Sequence, residues 1–229
     1  QILDADRVED LARQLLETPT YEYIRAGAGE ELTLRANLDA YRRWGVQPRV
    51  LTGSPGLDLS TVVLGTRLAF PVMVAPMAIH RMAHPQGEIA SARGAGEAGS
   101  LLTVAANASI PIEEIAAGSP GTPLWLQLYN WQDKTALARL IARGEEAGCK
   151  AIVPTVNTPI AVAHGRRSTG FRLPPGVSFG HFESSPELDP RLDWSYLEWI
   201  ASRTALPVVP KGVLHPDDAR RAADAGARG

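Results

Sequence analysis

A small set of polar side chains closes successive apolar runs in the second half of this sequence. Gln127 and Tyr129 end L-W-L-Q-L-Y, Thr155 and Asn157 end A-I-V-P-T-V-N, and Lys211 ends P-V-V-P-K. Gln127 and Tyr129 alternate with Leu126 and Leu128, so on a strand they share one face. Two amides, a phenol, a hydroxyl and an ammonium supply donors, acceptors and one fixed positive charge. That set suits a planar polar heterocycle and an anion. Lys211 can stabilise negative charge on a cofactor ring or substrate. Its alternative reading is a solvated lysine at a strand–helix turn. No strong nucleophile is paired with a base, and H-E-x-x-H, Cys/His clusters and the P-loop signature are absent. A covalent triad or a metal site therefore has no support. The single Cys149 stands where an apolar strand begins, with no activating neighbour, which predicts a buried structural thiol.

The elements that carry these residues follow a repeating grammar from Pro71 onward. The runs 71–76, 101–105, 124–129, 151–156 and 207–211 are strand-like. Helices are predicted between and after them, at 88–98, 112–117, 134–147, 194–203 and from Pro216. Continuous apolar strands separated by helices predict a parallel sheet whose strands are buried on both faces. The long connection at 157–193 is irregular and lies over the predicted site. Before this region, 1–66 reads as a helical segment and hairpin. Helices are predicted around Val8–Leu16, over Y-E-Y-I-R, and from Glu30 to Trp44 with Leu32, Leu34, Leu38 and Tyr41 inward. V-V-L-G-T-R-L predicts a hairpin around Gly65-Thr66.

Two α/β architectures fit this order, a doubly wound sheet and a (β/α)8 TIM barrel. No G-x-G-x-x-G follows the first strand, which weakens the doubly wound dinucleotide fold. Polar residues at the ends of several strands favour the barrel. A closed barrel takes about 250 residues, so 67–229 holds only about five β/α units, and a longer parent chain is expected. The 229 residues are 45% hydrophobic and 21% charged, with a formal charge of −2. That balance gives no electrostatic case for nucleic acid or an anionic membrane. No apolar run approaches a bilayer span of about 20 residues. One cysteine fits a reduced, cytoplasmic location.

Five stretches together carry a resemblance: 21–37 (Y-E-Y-I-R-A-G-A-G-E-E-L-T-L-R-A-N), 70–88 (F-P-V-M-V-A-P-M-A-I-H-R-M-A-H-P-Q-G-E), 125–129, 155–159 (T-V-N-T-P) and 207–213. In order and spacing the chain resembles the FMN-dependent α-hydroxy-acid oxidising enzymes: glycolate and lactate oxidases, mandelate dehydrogenase and hydroxymandelate oxidase. The resemblance implies a 2-hydroxy acid oxidised to a 2-oxo acid, with hydride transfer to flavin N5 and reoxidation by oxygen or another acceptor. It implies a homo-oligomer, a tetramer. It aligns Tyr23 with the substrate carboxylate and Tyr129 with the substrate hydroxyl. Pro76, Met77 and Ala78 align along one face of the flavin near N5. Gln127 and Thr155 align with the flavin ring, and Lys211 with flavin N1 and O2, where an ammonium stabilises the reduced anion.

Some positions depart from the family pattern. Ala105 and Ala106 stand where a flavin-binding Ser or Thr is usual, leaving that hydrogen bond to Asn107 or water. Asn107 also inclines the substrate toward mandelates. Asn157 replaces the usual Asp. His164 falls at the usual substrate-side arginine, with Arg166 and Arg167 just beyond. The histidine base, the carboxylate-gripping arginine and the phosphate site of the family all lie past Gly229. A non-catalytic flavin-binding relic or interaction module is therefore the competing expectation.

Overall fold

The computed structural model describes residues 5–53, 56–158, 172–184 and 186–229. They form two compact units, residues 5–58 with 172–174 and residues 59–158 with 175–229.

The first unit contains α1 (Ala5–Leu15), α2 (Thr18–Arg25) and α3 (Leu32–Tyr41). Pro19 sits in the first turn of α2, where an amide hydrogen would be unsatisfied anyway. The buried Tyr21 ties α2 to α1. Its hydroxyl donates to Glu9 Oε1 at 2.7 Å and accepts from Arg13 Nη2 at 3.1 Å. The sequence predicts Leu32, Leu38 and Tyr41 inward on α3, but they are 70%, 67% and 83% exposed. Leu34 is exposed as well. Helical periodicity fixes which residues share a face; it does not supply the partner that buries them. Little of the described chain covers this face.

The second unit opens with a hairpin, β1 (Thr61–Val63) and β2 (Thr66–Leu68). Leu64 and Gly65 both take positive φ, 47° and 80°. Two left-handed residues in a two-residue loop match the twist of the flanking strands. The turn thus falls one residue before the expected Gly65-Thr66. A parallel sheet follows, with β3 (Leu102–Val104), β4 (Leu124–Leu128) and β5 (Ile152–Pro154) in that order. The two outer apolar runs join it only at isolated points. Val74 bridges Leu102 on one side; Val208 bridges Ile152 and Lys211 bridges Thr155 on the other. All five runs therefore lie side by side in chain order.

Helices α4 (Gly87–Glu97), α5 (Ile112–Gly118), α6 (Lys134–Glu146), α7 (Trp194–Ala201) and α8 (Pro216–Asp224) begin within one residue of their predicted starts. Their N-termini explain this. Asp133 accepts from the Ala136 amide at 2.9 Å, and Asp193 from that of Ser195 at 2.9 Å. His215 Nδ1 accepts from the Asp217 amide ahead of Pro216. Each satisfies an amide that the helix cannot.

Strand alternation divides the apolar residues into two cores. Leu124, Leu126 and Leu128 pack with Ile115, Leu137, Ile141, Leu197 and Ile200 toward the helices. Leu101, Trp125, Ala151 and Val153 form the other core, closed by Leu68 of the hairpin. One expectation fails here. The first run, predicted buried on both faces, leaves Val72, Met73 and Val74 61%, 41% and 38% exposed. It pairs on one side only, through the Leu101 carbonyl and the Thr103 amide, and no described element covers its other side.

The irregular segment after residue 174 is pinned to this sheet at Gly180. Its amide donates to the Ala108 carbonyl at 2.8 Å, and a Cβ there would run into the Ile110–Pro111 peptide. Backbone cannot rotate aside as a side chain can. Gly180→Ala should therefore destabilise the fold by about 3 kcal/mol, read as a lower urea midpoint at unchanged slope.

Candidate cofactor and substrate site

The parity that builds the second core also builds the site. Ala105, Gln127, Thr155 and Lys211 continue the alternation of Leu101, Trp125, Val153 and Val209, so they occupy the same sheet face at its C-terminal edge; Tyr129, one residue past β4, packs against the helix-side core instead of following that parity. The apolar half of the face is sealed by the hairpin, and the polar half lies at the strand ends. Pro76 lies two residues beyond the Val74–Leu102 bridge, so Pro76, Met77 and Ala78 leave the sheet at this same end.

Gln127 is almost completely buried, and its amide orientation is set by its partners. The Ala106 backbone N–H can only donate, so it meets Oε1 (3.1 Å); the Leu128 carbonyl can only accept, so it meets Nε2 (2.9 Å). The second Nε2 hydrogen goes to Thr155 Oγ1 at 2.8 Å. Both nitrogen donors are thereby used. Toward a ligand Gln127 offers only a lone pair of Oε1, while Thr155, already accepting, has its hydroxyl hydrogen to give. Beside them, Lys211 is held by its backbone. Its amide donates to the Pro154 carbonyl at 2.8 Å, and its carbonyl accepts from Val156 at 3.0 Å. Its ammonium makes no hydrogen bond or ion pair among the described residues. Gly212 follows at φ 113°, where a Cβ would strike Asn157, so the turn after Lys211 requires glycine.

The loops after the first and second runs are tied by one buried carboxylate. Glu88 Oε1 accepts from the amides of His80 (2.9 Å) and Ser109 (2.8 Å), and Oε2 accepts from the Ser109 hydroxyl (2.7 Å). His80 shares a hydrogen bond with Ser91 Oγ at 2.8 Å, and burial lowers the pKa of its imidazole. His80 thus serves the loop, and so does His84, whose Nδ1 accepts from the Gln86 amide. Ala105 and Ala106 are buried, and the Asn107 side-chain oxygen, also buried, has no partner among the described residues. The spacing of polar residues did not reveal Glu88. An acidic residue in a helix's first turn is expected on electrostatic grounds alone, and nothing in the sequence marks this one as buried.

Tyr23 lies on α2 in the first unit, half-buried, and burial raises the pKa of its phenol. His164, Arg166 and Arg167 lie outside the described residues. Trp125 and Trp131 are core residues; Trp131 meets Phe182 edge to face at 5.2 Å. Among the described residues no three His, Cys, Asp or Glu side chains gather as a metal site. No helix there is long and apolar enough to cross a membrane.

The strand-end set fits an isoalloxazine ring. A lone pair, a hydroxyl hydrogen and an unpaired ammonium match its alternating carbonyl and N–H edge. The chain matches the model of the FMN-dependent dehydrogenases over residues 12–229 and belongs to that family, whose cofactor is FMN. It is 36% identical to glycolate oxidase 3 of Arabidopsis thaliana and 35% identical to glycolate oxidase of Spinacia oleracea. Each alignment covers all of this chain and 67% of the relative. Among solved structures, a mandelate oxidase variant with (S)-mandelic acid superposes with a TM-score of 0.93 at 38% identity, covering 99% of this chain and 66% of that one. A second, with a C4a-OH-FMN adduct, gives 0.89 at 38% identity, covering 96% and 65%. The chain thus spans about two thirds of the length of these relatives.

Cys149 is buried, and burial pushes its thiol up to about 12. A thiol so protonated is a poor nucleophile. Native protein at pH 8 should resist iodoacetamide, while urea-unfolded protein takes up one equivalent, as intact mass will show.

Proposed function

We propose that this chain is the FMN-holding part of a 2-hydroxy-acid oxidase or dehydrogenase with a (β/α)8 barrel fold. The observation that carries the reading is the Gln127–Thr155–Lys211 set on one sheet face, inside a family that is FMN-dependent. FMN, when bound, supplies the two-electron acceptor. The residues of this chain hold and bias it. Gln127 Oε1 accepts from a ring N–H, and the Thr155 hydroxyl donates to a ring acceptor. The Lys211 ammonium, fixed by its backbone and otherwise unpaired, stabilises negative charge at the adjoining ring edge. Pro76, Met77 and Ala78 line one face.

On the substrate side, the reading assigns Tyr129 to the 2-hydroxyl and Tyr23 to the carboxylate. His164 is assigned to the carboxylate side as well. Asn107 favours an aromatic acid of the mandelate type, in line with the mandelate oxidase structures among the relatives. The proton-accepting base and the carboxylate-binding arginine are assigned to the third of the relatives' length that this chain does not span. Oxygen or another acceptor takes the electrons. A homotetramer and a cytoplasmic location complete the proposal.

The full-length protein should be yellow and should bleach anaerobically with one 2-hydroxy acid, mandelate before glycolate or lactate. Protein that takes up no flavin on FMN reconstitution would overturn the reading. Flavin that no 2-hydroxy acid reduces would favour a binding relic. Lys211→Met should lower kcat by about 100-fold or more and make the flavin harder to reduce, with KM changed less; kinetics and a redox titration check this.

A further inference from the structure

We propose that His181, in the segment between residue 174 and α7, is a positioning residue for the Gln127 amide and acts through the backbone of Ala106. The inference rests on the FMN reading above. His181 Nδ1 lies 2.8 Å from the Ala106 carbonyl oxygen. A carbonyl only accepts, so Nδ1 carries the hydrogen. Nε2 is buried without a partner among the described residues. A second proton there would be a buried, unsatisfied donor, so the ring stays neutral with one defined tautomer. Burial lowers its pKa, in the same direction.

The same residue, through the preceding peptide group, gives its N–H to Gln127 Oε1 at 3.1 Å. His181 therefore holds the peptide group after the Ala106 Cα and Gln127 the one before it, which fixes the Ala106 backbone from both sides. Gln127 passes the order on to Thr155 and Leu128. The coupling is one of position: with both flanking peptide groups bonded, the Ala106 N–H keeps one direction, and leaving either partner unpaired in the interior is costly. With both nitrogen donors spent, the ring-facing lone pair of Oε1 points wherever the Ala106 N–H lets it.

The imidazole is itself firmly held. Its backbone carbonyl accepts from Arg143 Nη1 at 3.3 Å, and Arg143 also grips Glu113 through two nitrogens. The preceding Gly180 is bonded to the Ala108 carbonyl and seated against Ile110–Pro111. A segment otherwise distant in sequence thus reaches the strand-end site through one side-chain donor.

Two variants of similar size separate positioning from packing. Asparagine places its Nδ2 where histidine has Nδ1; leucine fills the space without a donor. In the full-length protein, His181→Leu should weaken FMN binding about tenfold, equivalent to about 1.4 kcal/mol, and shift the visible flavin band. His181→Asn should stay within about twofold of wild type with an unshifted band. Circular dichroism confirms the fold of each. Where the leucine variant does not fold, His181→Met takes its place, being flexible enough to fill the space and having no hydrogen to donate. In flavin-free protein, hydrogen exchange at the Ala106 amide should quicken in the donor-less variant and not in His181→Asn. Equal FMN affinity, spectrum and Ala106 exchange in the two variants would overturn the proposal. A wild-type protein that takes up no FMN would sink the flavin reading instead, leaving the exchange comparison to decide the role of His181.

Discussion

A primary amide buried at the end of a parallel strand must satisfy two hydrogens and an oxygen without water, and the site depends on how Gln127 does so. Its partners come from three neighbouring strand ends: the Ala106 amide after β3, the Leu128 carbonyl on β4 and Thr155 after β5. Leaving any of them unpaired would cost about 1–3 kcal/mol. The amide therefore locks the relative register of the strand ends as much as they lock it. What remains outward is a defined pattern of one acceptor and one donor, with the Lys211 ammonium on the next strand.

That pattern explains the division of labour along the sheet face. Its lower half is apolar and covered by the hairpin through Leu68. Its upper half carries polar groups whose protein-side valences are spent on one another, leaving the rest for a ligand. Glu88 performs the equivalent task for the loops, drawing the amides of His80 and Ser109 to one carboxylate. Loops after two different strands are thus tied to each other, and the segment containing Pro76, Met77 and Ala78 inherits that order.

Much of this was legible in the sequence, for physical reasons that differ by element. The strand runs and helix starts were readable because burial and capping are local: alternation marks faces, and Asp133, Asp193 and Pro216 mark first turns. Gln127 was readable because parity puts it with Trp125 on one side before any fold is known; Tyr129, expected on that face, lies past the strand end and packs against the helix-side core. The inward face of α3 and the burial of 71–76 were misread because both depend on a partner surface that periodicity does not supply. His181 and Glu88 escaped notice because their roles rest on contacts with distant segments, 75 and 21 residues away. The substrate-side roles expected for Tyr23 and His164 rest on family resemblance alone.

The central claim is that FMN is held by the ends of these strands. A crystal structure of the full-length protein with FMN tests it most directly. The account predicts the isoalloxazine edge within hydrogen-bonding distance of Gln127 Oε1, Thr155 Oγ1 and Lys211 Nζ, with Ala105 beside the ring. A flavin bound elsewhere, or a ring approached by Gln127 through Nε2, would contradict it.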